Sequence, residues 1–161
     1  MPLGLTELFF STTDRHGVIR LGNSVFARIS GYAPDELAGA PHNIVRHPDM
    51  PAGVFELAWE RLLSGGPVGA FVQNQDRDGS CYWVFATMSP PRDGYLSVRI
   101  ASRSGLFELI EPVYAHARAI EERARQAGAG RLGRAALGRA VVEEALRDRG
   151  FASYDEFMAG V

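Results

Sequence analysis

The densest chemistry in the chain lies in Pro41-His42-Asn43-Ile44-Val45-Arg46-His47-Pro48-Asp49-Met50-Pro51, where eleven residues hold a guanidinium, two imidazoles, a carboxylate and a carboxamide. Bunched where two helices meet, such side chains suit a polar ligand. Pro48 removes an amide donor and biases His47 toward an extended backbone. Pro51 fits the first turn of a helix, and Asp49 just ahead of it can cap the free amides there. The stretch therefore reads as a short helical piece, a bend and the start of a longer helix, with its polar side chains at the junction. Composition alone slightly favours a rigid, well-capped turn in which Arg46 pairs with Asp49 over a ligand site.

The remaining reactive types narrow the function. There is no plausible pair of catalytic carboxylates, no nucleophile elbow, no phosphate-binding glycine loop and no metal-ligand cluster, so an enzyme is not expected. The single Cys81 excludes an internal disulfide. It sits in an apolar alternating run and reads as a small buried side chain. A net charge of -2 argues against nucleic acid. Arg131, Arg134, Arg139, Arg147 and Arg149 are interleaved with Glu143, Glu144 and Asp148, the pattern of a solvated face. All 17 basic residues are arginine, which assigns no function. The start of the chain lacks the pattern of a signal peptide, and no stretch reaches the roughly 20 apolar residues of a membrane span. A soluble, cytoplasmic protein without membrane insertion is expected. Its 161 residues, 46% hydrophobic and 22% charged, suit one domain with a small appendage.

The elements that must position these groups follow in order. Phe9–Thr13 and Val18–Leu21 flank a turn at Asp14-Arg15-His16-Gly17 and read as a hairpin. Asn23 is an N-cap for a helix carrying Val25, Phe26 and Ile29, and Gly31 stands where a left-handed C-cap belongs. Pro34-Asp35-Glu36-Leu37 makes one more helical turn. The spacing predicts a helix over Pro51–Leu63, with Val54, Phe55, Ala58, Trp59 and Leu62 on one face. Three strands follow, Val68–Gln75, Ser80–Met88 and Tyr95–Ser102, the first two joined through Asp78-Gly79. The fold class is α+β, a five-stranded antiparallel sheet with helices on one face and a cavity between the layers. Beyond it, Gly105–Ala127 is an amphipathic helix, broken by Gly128-Ala129-Gly130. Leu132–Arg149 and Ser153–Met158 make two further helices. On spacing alone Trp59 is core packing, Asn74 a strand-edge or turn residue, and His16 and His42 surface or capping residues. Tyr82, Trp83 and Phe85 alternate, so one set faces the core and the other the tail helix or a partner.

Asn23-Ser24-Val25-Phe26 with Ser30-Gly31-Tyr32, then Glu36-Leu37 with Gly39, then Arg77-Asp78-Gly79 with Tyr82-Trp83, resembles a PAS domain. The run His42 to Pro51 is similar to the FAD-binding PAS domain of bacterial aerotaxis receptors. The resemblance covers residues 6–103, so residues 1–103 form the sensory domain and 104–161 a C-terminal helical extension. It implies a sensory, redox- or oxygen-responsive module that binds FAD and passes a change to a signalling partner such as a chemotaxis transducer or kinase. It also implies that Arg46, His47, Asp49, Trp59 and Asn74, with Asn23, serve the cofactor. A guanidinium and an imidazole would hold its phosphate or ribose end, an aromatic would stack on its ring, and a carboxamide would sense its protonation. Flanking helices of the family often pair, so a homodimer through the tail helix is expected, with folding back on the chain's own sheet as the alternative. Two features depart from the family. Val68 stands where it has tryptophan, and the last hairpin is shorter. The alternative reading is a flavin-free module that binds another small ligand or haem, with His42 or His47 as the iron ligand, or that serves only interaction.

Overall fold

The computed structural model describes residue 4 and residues 7–90, 93–101 and 105–160. Five strands form one antiparallel sheet: β1 (Leu8–Thr13), β2 (Ile19–Gly22), β3 (Val68–Gln75), β4 (Cys81–Ser89) and β5 (Tyr95–Ile100). Their spatial order is β2-β1-β5-β4-β3, so the hairpin β1–β2 joins the β3–β4–β5 meander through the central β1–β5 pair. This is the α+β arrangement the sequence predicts.

Between β2 and β3 lie α1 (Ser24–Ser30), α2 (Pro34–Leu37), a 3-10 turn over His42–Val45 and α3 (Ala52–Leu63). Asn23 caps α1 as expected, its Oδ1 accepting from the Phe26 amide at 3.1 Å. Gly31 ends the helix at φ 72°, a conformation that costs a residue with a Cβ.

The polar stretch serves the sheet before it serves any ligand. Arg46 forms a β-bridge with Asn74, and the His47 amide donates to Gln73 O at 3.2 Å. The segment thus covers the edge of β3. On the opposite edge Val18 bridges to Pro41, and Ile19 exchanges backbone hydrogen bonds with Gly39 and Ala40.

The tail folds back. Phe107 and Tyr114 of α4 (Gly105–Gln126) pack on Trp83, and Phe107 also meets Phe71, on the sheet face opposite α1–α3. This occupies the apolar seam that the sequence assigned to a second copy. After α4 the chain reverses into α5 (Arg131–Arg147), which packs on both α4 and α3. The closing α6 (Tyr154–Ala159) lies against β3, tied to α4 by a 3.1 Å hydrogen bond between the Tyr154 and Tyr114 hydroxyls. One apolar core runs from Phe9 and Phe26 through Phe71 to Val142, Leu146 and Phe157.

Two sequence expectations fail in this architecture. Asp49 does not cap α3. The buried carboxylate of Glu121, on α4, takes the amides of Ala52 and Gly53 at 2.8 and 2.9 Å. Cys81 is exposed, because it lies beside the β3–β4 turn on the outward-pointing phase of β4.

Candidate functional site

A cavity of about 270 Å3 opens between the sheet and the helical layer. That is just under the ~300–1,000 Å3 of most small-molecule sites. Ala58 and Leu62 of α3 and Val72, Ala86 and Met88 of the sheet give it an apolar wall, and Trp59 and Tyr95 meet edge-on at 5.0 Å beside it. Trp59 is 39% exposed, so it borders the opening rather than filling the core.

The polar wall is one-sided in charge. Arg46, Arg99 and Arg131 line the cavity together with His16 and His42, and no aspartate or glutamate does. In a chain of net charge -2, that segregation selects for an anion.

Arg99 and His42 form the inner end. In-register pairing places Arg99 opposite Phe9, and Ser97 opposite Ser11, so a polar stripe crosses the middle of the sheet on its cavity face. Arg99 is 6% exposed and donates to Ser11 Oγ and His42 Nε2, each at 2.9 Å. An arginine has no lone pair to offer, so His42 Nε2 accepts, and the imidazole is neutral with its proton on Nδ1. The Ser11 hydroxyl reaches the same nitrogen at 2.9 Å. Burial pushes the guanidinium down to about 10, which leaves it charged at neutral pH. Its neighbours among the described residues are Ser11, His42, the ring face of Phe9 at 5.3 Å and Tyr82, and none is a carboxylate.

Burial, and then the charge of Arg99, pushes His42 down to about 3 from 6.5. A histidine depressed in the folded state stabilises the fold fully above its unfolded pKa, and that contribution is lost as the pH falls. Stability should therefore decline by up to about 1.4 kcal/mol per unit as the pH drops from 6.5 toward 3. Denaturant unfolding of the wild type and of His42→Gln checks this. The variant should lose most of that slope, and equal slopes would show that the imidazole does not titrate with folding.

Two further polar groups belong to the cavity wall. The Asn74 carboxamide nitrogen and the Ser97 hydroxyl are buried and both residues line the cavity; among the described residues the Ser97 hydroxyl has no hydrogen-bond partner, and the Asn74 carboxamide has only the buried Tyr82 hydroxyl, across the β3–β4 pair, to turn to. Such groups persist where a ligand or water completes them.

Of the residues named from the sequence, the structure brings Arg46, Trp59 and Asn74 together on the cavity. Arg46 lies flat on Phe55, 3.7 Å from the ring centre, instead of pairing with Asp49. His47, Asp49 and Asn23 lie outside the lining. The His47 ring accepts the Asp49 amide at 3.1 Å and so shapes the segment that presents Arg46. Asp49 itself points to solvent. His42, expected at the surface, is stacked on Phe26 against Arg99. Arg99, Ser97 and Arg131 were not foreseen as lining residues. Val68 is buried and lies outside the lining, paired across the strand with Met88, which is part of it.

A PAS-fold family model matches residues 21–98. The chain carries a PAS domain. It is 38% identical over 118 residues to the aerotaxis receptor of Escherichia coli (strain K12), covering 70% of this chain and 23% of the receptor. It is 30% identical over 92 residues to the bacterioopsin transcriptional activator of Halobacterium salinarum, covering 57% of this chain and 13% of that protein. The chain thus spans less than a quarter of these relatives. Among solved structures, a light-oxygen-voltage domain studied with a flavin analogue aligns with TM-score 0.56 and 22% identity, over 74% of this chain and 89% of its own. A PAS domain from Colwellia psychrerythraea aligns with TM-score 0.55 and 19% identity, over 60% and 88%. The sheet with its short helices is therefore the PAS fold. No helix among the described residues is long and apolar enough to cross a membrane.

Proposed function

We propose that this PAS domain is a sensory module of the aerotaxis-receptor type that holds FAD in the arginine-lined cavity. The observation that carries the reading is the lining itself: an apolar wall facing the buried Asn74 and Ser97, with three arginines and, among the described residues, no carboxylate. A flat heteroaromatic with an acceptor-rich edge and a phosphate tail has that chemistry. Asn74 and Ser97 would meet its polar edge, the α3 wall and Trp59 its apolar surface, and Arg46 its phosphates. At 270 Å3 the cavity takes the ring system, and the adenylate end would lie along the mouth. A bound flavin would supply reversible electron uptake accompanied by protonation. The chain's part is to hold the ring dry and to re-form hydrogen bonds at Asn74 when its charge changes, the kind of local event a signalling domain reads out. From there the change would pass through the sheet and α4 to a partner such as a chemotaxis transducer or kinase.

Haem fits the same residues less well. Arg99 and Ser11 occupy His42 Nε2, and His47 lies outside the cavity. The small volume instead favours, as a second reading, a compact anionic ligand without a dinucleotide tail.

The test is retention of FAD. The chain mixed with FAD and desalted should stay yellow, and Arg46→Ala should release the flavin at least about tenfold more readily. The substitution removes one cation–π contact, about 1 kcal/mol of stability, so the variant should still melt cooperatively. A wild type that keeps no FAD overturns this reading and leaves the second one.

A further inference from the structure

The mouth of the cavity is not built by the PAS module alone. Arg131, the first residue of α5, lines it together with Arg46. Its place follows from the helix face. Ala135, Gly138, Val142 and Leu146 form the buried stripe of α5, and Arg131 is its next member toward the N-terminus, four residues before Ala135 and seven before Gly138. The stripe is seated on α3 with little freedom. A Cβ on Gly53 would fall 2.1 Å from the Arg139 amide nitrogen, and one on Gly138 would fall 1.9 Å from a Glu121 oxygen. That contact sets where the first turn of α5, and so the backbone of Arg131, lies.

The two arginines share the cavity lining, in which no carboxylate of the described residues takes part. Among the described residues neither guanidinium has a carboxylate partner, whereas nearby Arg118 is engaged with Pro48 O and Glu122. Burial, and then the charges of Arg131 and Arg118, hold Arg46 below the usual arginine range, with Glu121 opposing. Without an anion, Arg46 and Arg131 repel each other across the opening.

We propose that Arg46 and Arg131 are a clamp for a phosphate or pyrophosphate group, and that its binding fastens the α4–α5 hairpin to the PAS module. The phosphate-bearing ligand is taken from the function proposed above. An anion between the arginines removes their repulsion and adds charge-assisted hydrogen bonds to both layers. Whatever the docked hairpin adds to ligand affinity, the ligand adds to docking. The C-terminal extension thereby becomes the element through which occupancy is felt.

The experiment uses the full chain, Arg131→Ala and Arg131→Lys. FAD and riboflavin, which lacks phosphate, are titrated by flavin fluorescence. Inorganic pyrophosphate is titrated onto flavin-free protein while hydrogen exchange of the α5 amides is followed. Arg131→Ala should weaken FAD about tenfold and leave riboflavin unchanged, with Arg131→Lys recovering part of the loss. Pyrophosphate should slow exchange of α5 in the wild type and not in Arg131→Ala. Equal losses for FAD and riboflavin, or FAD binding indifferent to Arg131, would overturn the clamp while leaving the flavin reading in place. If neither flavin binds but pyrophosphate still protects α5 through Arg131, the clamp stands and the flavin reading falls. An α5 that exchanges identically with and without pyrophosphate overturns the clamp outright.

Discussion

Gly53→Ala is expected to lower the melting temperature by roughly 10 °C, a loss of about 3–4 kcal/mol in a chain of this size. The added methyl would meet Arg139 N at 2.1 Å, Gly138 C at 2.6 Å and Ala135 O at 2.7 Å, all backbone atoms of α5. No side chain can swing aside, so the two helices must part. A shift of α3 away from α5 also disturbs the bonds that the Ala52 and Gly53 amides donate to Glu121 of α4, and a charge-assisted bond of this kind is worth about 1.5–3 kcal/mol. Against this stands the helix propensity gained by alanine over glycine, about 1 kcal/mol at most. Gly133→Ala is the control. It lies on the exposed side of α5 with nothing within 4 Å of a new Cβ, and should stabilise by about 0.5–1 kcal/mol. Thermal or denaturant unfolding of both variants checks the pair. A Gly53→Ala protein as stable as the wild type would mean that α3 and α5 do not touch at this point.

Arg99→Met should do the opposite of an ordinary core substitution. Arg99 is buried with neutral partners only, and a buried charge in that situation is a net cost to the fold. Methionine fills the same slot without the charge, and Ser11 and His42 keep their mutual hydrogen bond. The ligand-free variant should be more stable than the wild type by about 1–3 kcal/mol. Uptake of an anionic ligand, FAD under the proposed function, should fall by at least about tenfold. Denaturant unfolding and flavin titration on the same preparations measure both. Stability and binding moving down together would show that Arg99 is a structural strut and not a counter-charge kept for a ligand.

How much of this was legible before the coordinates differs by kind of residue. The elements were, because their signals are local: Asn23 and Gly31 bracket α1, Asp78-Gly79 closes the β3–β4 hairpin, and the α4 stripe is periodic. Arg46, Trp59 and Asn74 were picked out through their match to the aerotaxis-type PAS pattern, and all three line the cavity. Arg99 was missed for a physical reason. Tyr95-Leu96-Ser97-Val98-Arg99-Ile100 alternates, and alternation normally sends the polar phase to water. In this sheet the polar phase meets an internal cavity, and only the pairing of Ser97 with Ser11, and of Arg99 with Phe9, reveals that. Glu121 was hidden in the same way, since beside Glu122 it reads as part of a solvated helix face until α3 supplies two amides for it. The N-terminal half of the contact face of α5 is small residues, Ala135 and Gly138, so only Val142 and Leu146 mark the stripe with bulk.

The covered borders of the sheet limit how other molecules can approach. Arg46 and His47 shield β3, with α6 beside that strand, while Pro41 and its neighbours shield β2. A visiting chain therefore finds the amide rows already taken at Gln73 and Asn74 on one border and at Ile19 on the other, which hinders open-ended polymerisation by strand addition. Recognition by another protein has to be written in side chains, on the outer face or the helices, where single substitutions can retune it without disturbing the backbone ladder.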